Sequence, residues 1–122
     1  MKLYTDAGEI IRSAIHAVQP DAAVRRALED LPKIKGKLVL IAVGKAAWQM
    51  AKAAEDALGD RIDAGVVVTK YDHVRGPLPK LEMFEAGHPV PDENSFRGTQ
   101  AALNAVSGLC ADDLVLFLLS GG

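Results

Sequence analysis

The sequence predicts an α/β domain of three layers, wound in both directions about a mostly parallel sheet, on three observations. Leu38–Val43, Ala64–Thr69 and Leu114–Leu119 are short apolar runs with little polar interruption. Segments with apolar residues at helical spacing separate them, and glycines stand where runs and helices end. Continuous rather than alternating apolar character suits strands covered on both faces, as parallel sheets require. Strands alternating with helices make crossovers that are right-handed, with loops collected at the carboxyl ends of the strands. The expected architecture is Rossmann-like.

The elements follow in order. Ala7, Ile11, Ala14, Ile15 and Val18 set a helix over 6–19, which Pro20 closes. Val24, Ala27, Leu28 and Leu31 repeat the pattern, with Asp21 as N-cap and Pro32 as stop. Leu38–Val43 is the first strand, ended by Gly44. Lys45–Leu58 is a helix with Ala47, Met50, Ala51, Ala54 and Leu58 on one face and Gly59 as terminator. Ala64–Thr69 is the second strand, and Gly76, Pro77 and Pro79 make Lys70–Lys80 a loop. Leu81–Ala86 is a third strand. After Gly87-His88-Pro89-Val90-Pro91, Asp92 caps a helix to about Ser107, with Phe96, Thr99, Leu103 and Val106 expected inward and Gly108 at its end. Leu114–Leu119 is the fourth strand, followed by Ser120-Gly121-Gly122.

A chain of 122 residues suits one core. At 49% apolar and 25% charged residues it is too apolar for disorder. Lysine and arginine against aspartate and glutamate give 14 − 16 = −2, so there is no basic excess to hold nucleic acid or an anionic membrane. An anionic ligand must be held by a local feature. The single cysteine, Cys110, allows no internal disulfide, and the longest apolar run cannot span a bilayer; the expectation is a soluble, cytoplasmic protein. A buried strand running into Ser-Gly-Gly normally feeds a helix whose amides approach a ligand. The chain is therefore expected to be the front part of a longer protein.

Four places could carry chemistry. At Gly44-Lys45 the glycine lets a ligand approach the backbone, while the helix start and the lysine favour an anion; alternatively Lys45 is a solvated first-turn residue. This is no Walker A loop, because Val39 and Ala46 stand where that motif needs glycine and serine or threonine. No G-x-G-x-x-G fingerprint is present either. The segment 87–95 crowds His88, Asp92, Glu93 and Ser95 at a helix start; His88 or Glu93 serves as proton carrier or hydrogen-bond partner, or the segment is a rigid capped loop. Ser120-Gly121-Gly122 reads as a phosphate cradle or as a plain bend. Lys70-Tyr71-Asp72-His73 follows a strand end, where open sheets bind ligands, though such residues are common in loops. Trp48 is expected only to pack and Cys110 to have no role. His16, His73 and His88 lack metal-ligand spacing.

Taken together, V-G-K-A-A-W-Q-M-A-K-A-A (43–54), G-V-V-V-T-K-Y-D-H (65–73), E-A-G-H-P-V-P-D-E-N-S (85–95) and L-V-L-F-L-L-S-G-G (114–122) resemble the N-terminal domain of the bacterial and archaeal glycerate kinases of the tartrate-degradation type. In that family the C-terminal part is the MOFRL domain, and some members bear the older label hydroxypyruvate reductase. The specific part is G-H-P-x-P-D-x-x-S followed by S-G-G. The resemblance implies ATP-dependent phosphorylation of D-glycerate in a cleft between two domains, with Mg²⁺ bridging the phosphates. It implies that Lys45 is the active-site lysine, that Gly44 takes part in phosphate binding, that Ser120, Gly121 and Gly122 begin a glycine-rich phosphate loop, and that His88 and Glu93 line the cleft. The family loop continues S-G-G-G-S-A, which this chain lacks after Gly122. The implied partners are small molecules, with no nucleic acid or membrane, and a homo-oligomer is possible. Two other readings stand beside the kinase: an oxidoreductase acting on hydroxypyruvate, and a small-molecule-binding α/β module without catalysis.

Overall fold

The structure, a computed structural model, describes residues 20–88 and 90–121. The helix expected over 6–19, Pro89 and Gly122 lie outside the described residues. Helix α1 spans Pro20–Leu28, strand β1 Leu38–Val43, helix α2 Ala47–Leu58, strand β2 Ala64–Lys70, strand β3 Leu81–Ala86, helix α3 Glu93–Ala105 and strand β4 Leu114–Leu119. All three sheet pairings are parallel and the strand order is β3-β2-β1-β4. The mostly parallel α/β expectation holds, and the described residues form the four expected strands.

That order has a physical consequence. From β1 the chain steps outward to β2 and β3, then returns past β1 to place β4 on its other side. A right-handed crossover puts its connection on one face when stepping one way and on the opposite face when stepping back. Accordingly α1 and α2 share a core with Leu38, Leu40, Leu116 and Leu118 on one face. On the other, Ala101, Ala102 and Ala105 of α3 pack with Val39, Ile41, Val66 and Val115. β1 lies between both layers and is buried along nearly its whole length, as its unbroken apolar run requires.

Several local expectations are corrected. Asp21 is no N-cap: it sits in the first turn of α1, after Pro20, and faces Arg25 one turn on at 3.7 Å. Proline is at home in a first helical turn, where its missing N–H leaves no bond unmade. That helix ends at Leu28, before Leu31 and Pro32, although Leu31 still packs on the core. Helix α2 starts at Ala47 rather than Lys45, and stops at Gly59, whose φ of 53° turns the chain away. β2 runs one residue further, to Lys70.

The largest correction concerns α3. Its cap is as expected: Asp92 Oδ1 accepts from the amides of Asn94 and Ser95, and Ser95 Oγ accepts from the Asp92 amide. The buried face is different. Phe96 is 74% exposed and Leu103 58%, Thr99 is exposed too, and only Val106 of the expected four packs inward. Gly98 is the buried residue, so close to Val68 and Phe84 that an added Cβ would lie 2.8 Å from a methyl group of Val68. The helix seats its small residues on the sheet, and it ends at Ala105 rather than Ser107.

The β2–β3 connection, 71–80, makes a parallel crossover without a helix. Leu78 is buried with the α2 layer, and Trp48 Nε1 donates to the Gly76 carbonyl at 2.9 Å. Trp48 therefore anchors this loop to α2 as well as packing.

Candidate functional site

β1 is the point where strand order reverses, and beyond its carboxyl end the chain must open between β1 and β4. Open α/β sheets bind ligands in such crevices. Val43 pairs with Leu119, so Gly44 and Ser120 leave the sheet side by side. The Ser120 amide donates to the Val43 carbonyl at 2.9 Å, and Ser120 Oγ accepts from the Ala46 amide at 3.1 Å. Gly44 has φ 120°, and a side chain there would overlap the carbonyl and hydroxyl oxygens of Ser120. Glycine is needed twice over at this position, for its backbone angle and for the close approach of β4's end. Gly121 is exposed, with nothing near its missing side chain.

Lys45 is exposed and lies in the turn ahead of α2 rather than in its first turn. Among the described residues no carboxylate forms an ion pair with it. Its turn is held by β2: Thr69, 3% exposed, donates its hydroxyl hydrogen to the Gly44 carbonyl at 2.8 Å, with a longer approach of 3.3 Å to that of Lys45. His73 Nδ1 meets the same Lys45 carbonyl at 3.0 Å. Lys45, Trp48, Gln49, Asp72, His73 and Arg75 line a depression of about 310 Å³. Two cationic side chains, Lys45 and Arg75, and the His73 ring thus line one hollow together with the Asp72 carboxylate.

The structure brings together Gly44, Lys45, Ser120 and Gly121, which the sequence separates by up to 77 positions. It does not bring His88 or Glu93 to them. Both are exposed at the β3–α3 junction, with β2 between that edge strand and β1, and neither lines the Lys45 hollow. The polar residues of segment 87–95 make a separate network. Tyr71 Oη donates to Asp92 Oδ2 at 2.6 Å and accepts from Asn94 Nδ2 at 2.9 Å. The Tyr71 bond, then the amides of Gly87, Ser95 and Asn94, hold the Asp92 carboxyl below its ordinary range. The same bond pushes the Tyr71 phenol up. Tyr71 and Asn94 also border a second hollow of about 490 Å³ with Val74, Met83, Phe84 and Glu85. This network explains the segment as a braced cap.

The sequence assigns Trp48 only packing and names no role for Arg75, while it leaves 70–73 as either a strand-end ligand site or a common loop. The available signal was position: Trp48, Asp72, His73 and Arg75 all follow the carboxyl end of β1 or β2, the edge where open sheets bind ligands.

The fold defines the class: a doubly wound parallel α/β domain with Gly44, Lys45 and Ser120 gathered at the carboxyl edge of its central strands. The chain belongs to the DUF4147 family, described as a domain of unknown function, which it matches over residues 6–122. It is 55% identical over 115 residues to the D-glycerate 2-kinase of Thermotoga maritima, covering 93% of this chain and 27% of that protein. A crystal structure of glycerate kinase from Thermotoga maritima superposes with a TM-score of 0.75 and 50% identity, covering 99% of this chain and 29% of that one. A relative from Agrobacterium vitis, 41% identical over 113 residues, carries a provisional hydroxypyruvate reductase name; the match covers 93% of this chain and 25% of that protein. The chain therefore spans little more than a quarter of the length of these relatives. The likeness to glycerate kinases expected from the motifs holds across nearly the whole chain. No described helix is long and apolar enough to cross a membrane.

Proposed function

We propose that this chain is the N-terminal α/β domain of a two-domain kinase that transfers the terminal phosphoryl group of ATP to D-glycerate. The observation that carries the reading is the seating of Ser120 against Gly44, which joins two glycine-bearing strand ends beside Lys45. Phosphoryl transfer asks a protein for positioning and charge neutralisation more than for covalent help. In this reading Gly44, Ser120, Gly121 and Gly122 let phosphate oxygens approach the backbone. Lys45 supplies a positive charge for the phosphoryl group in flight or for the glycerate carboxylate. His88 and Glu93 stand at the outer wall of the same edge, remote from that capture. The relative from Thermotoga maritima is named for position 2, and 2-phosphoglycerate is the product proposed here.

Among the described residues no three histidine, cysteine, aspartate or glutamate side chains gather into a metal site. Magnesium commonly travels with nucleotide phosphates and takes only one or two carboxylates. Asp72 is the carboxylate at the hollow. It offers at most one such contact, and the roles assigned here do not depend on it.

Kinase, reductase and binding module separate in one experiment. The intact protein is incubated with D-glycerate and ATP, then with hydroxypyruvate and NAD(P)H, following ADP, phosphoglycerate and nicotinamide oxidation. ADP and phosphoglycerate in equal amounts support the kinase. Hydride transfer without ADP release ends it, and ligand binding without either turnover leaves the binding module.

A further inference from the structure

We propose that His73 is a catalytic residue of this site, the proton acceptor for the hydroxyl group of a small hydroxy-acid substrate; this rests on the kinase reading. The Lys45 carbonyl can only accept a hydrogen bond, so the Nδ1 that meets it at 3.0 Å must carry hydrogen. In the neutral ring the lone pair then stands on Nε2, and a backbone carbonyl is a common means of setting this tautomer. The ring belongs to the hollow that contains Lys45 and Arg75. Its backbone is held on both sides: the His73 amide donates to the Lys70 carbonyl at 3.1 Å, and the Val74 amide to Glu85 Oε2 at 3.0 Å.

The charged groups around it are Lys45 from the β1–α2 turn, Asp72 and Arg75 from its own loop, and Glu85 of β3. Of the groups lining the hollow, Asp72 is the other possible base. It is exposed and not fixed by a side-chain hydrogen bond to the Lys45 turn, whereas His73 is. A base must be positioned before its basicity counts. In the step, the substrate O–H bond breaks and its proton passes to Nε2. The oxygen forms a bond to the terminal phosphorus. The bond from that phosphorus to the bridging oxygen breaks, and the electron pair leaves with ADP. The imidazolium then returns its proton to water.

The test is His73→Asn in the intact protein, assayed with D-glycerate and ATP between about pH 5 and 8, the range over which histidine changes charge. An asparagine amide can still donate to the Lys45 carbonyl but has no basic nitrogen. A base role predicts a kcat loss of about 10²–10⁴, little change in the KM for glycerate, and disappearance of the acid limb of kcat. A role confined to holding the turn is rescued by asparagine, so kcat within about threefold of wild type overturns the proposal. A wild-type kcat with no acid limb overturns it as well, and that measurement stands if the variant does not fold. Wild-type protein that makes no phosphoglycerate removes the kinase reading instead; active wild type with undiminished His73→Asn removes this inference alone.

Discussion

Gly44→Ala tests the junction on which the site depends. An alanine there would hold φ near 120°, which costs about 1–3 kcal/mol for a residue with a side chain. Its Cβ would also overlap two oxygens of Ser120 and stand 3.0 Å from that residue's carbonyl carbon. These are largely backbone atoms, tied to β1 by the Ser120 amide, so they cannot swing aside as a long side chain would. Overpacking of this kind costs about 1–3 kcal/mol more. The sum, about 2–6 kcal/mol, is a large part of the 5–15 kcal/mol that usually holds a domain together. Gly108→Ala is the control: its φ is 73°, but nothing lies within 4 Å of the added carbon, so only the backbone term of about 1–2 kcal/mol applies. Urea unfolding of the chain, followed by the fluorescence of its single tryptophan, Trp48, reads both variants. At a slope of about 1–3 kcal/mol per molar urea, Gly44→Ala should lose at least 1 kcal/mol more than the control, a clear difference in midpoint. Equal midpoints would mean that β4's end does not press on Gly44, and the two strand ends would no longer form one pocket.

Three other outcomes are expected. Lys45→Ala in the intact protein should lower kcat for glycerate phosphorylation by about 10² or more at unchanged thermal stability, as removal of a transition-state charge contact does; unchanged kinetics would return Lys45 to a solvated turn residue. The Asp113 carboxyl is held below its ordinary value by the amides of Cys110 and Lys37, both at 2.7 Å. A depressed folded value means its stabilisation is present above the unfolded value near 3.8 and is lost as pH falls toward the folded one, so Asp113→Asn should flatten the loss of stability below about pH 4 in an acid titration by circular dichroism. On α3, Phe96→Ala should change stability by less than about 0.5 kcal/mol, while Gly98→Val should cost about 1–3 kcal/mol, both read by urea denaturation; the opposite ranking would restore Phe96 to the core.

The strands were legible because burial on both faces demands unbroken apolar runs, and such runs keep sharp ends. β1 and β4 begin and end at the expected residues; β3 does too, although it is an edge strand of mixed sequence that buries only Ala86. The Asp92 cap was legible for a similar reason, since its bonds span only three residues. The face of α3 was not. Apolar spacing pointed to Phe96 and Leu103, but α3 lies close against β2 and β3, and Gly98, Ala101 and Ala102 fit a narrow gap that large side chains would not. Periodicity weighs side chains by hydrophobicity, whereas seating on a sheet weighs them by size. The start of α2 was misplaced because Thr69 and His73, more than twenty positions away, take the Lys45 carbonyl.

The sequence by itself therefore determined the parts: a parallel α/β domain, its strand boundaries except the end of β2, its family likeness, and Gly44, Lys45 and Ser120 as residues able to serve an anion. Strand order belonged to the tertiary structure alone. It set β4 next to β1, so that Ser120 meets Gly44, and it left β2 between that pair and the His88–Glu93 edge. The physical reason is that a local pattern reports which faces of a segment avoid water, while which strand lies beside which follows from crossover handedness and from the packing of both layers together.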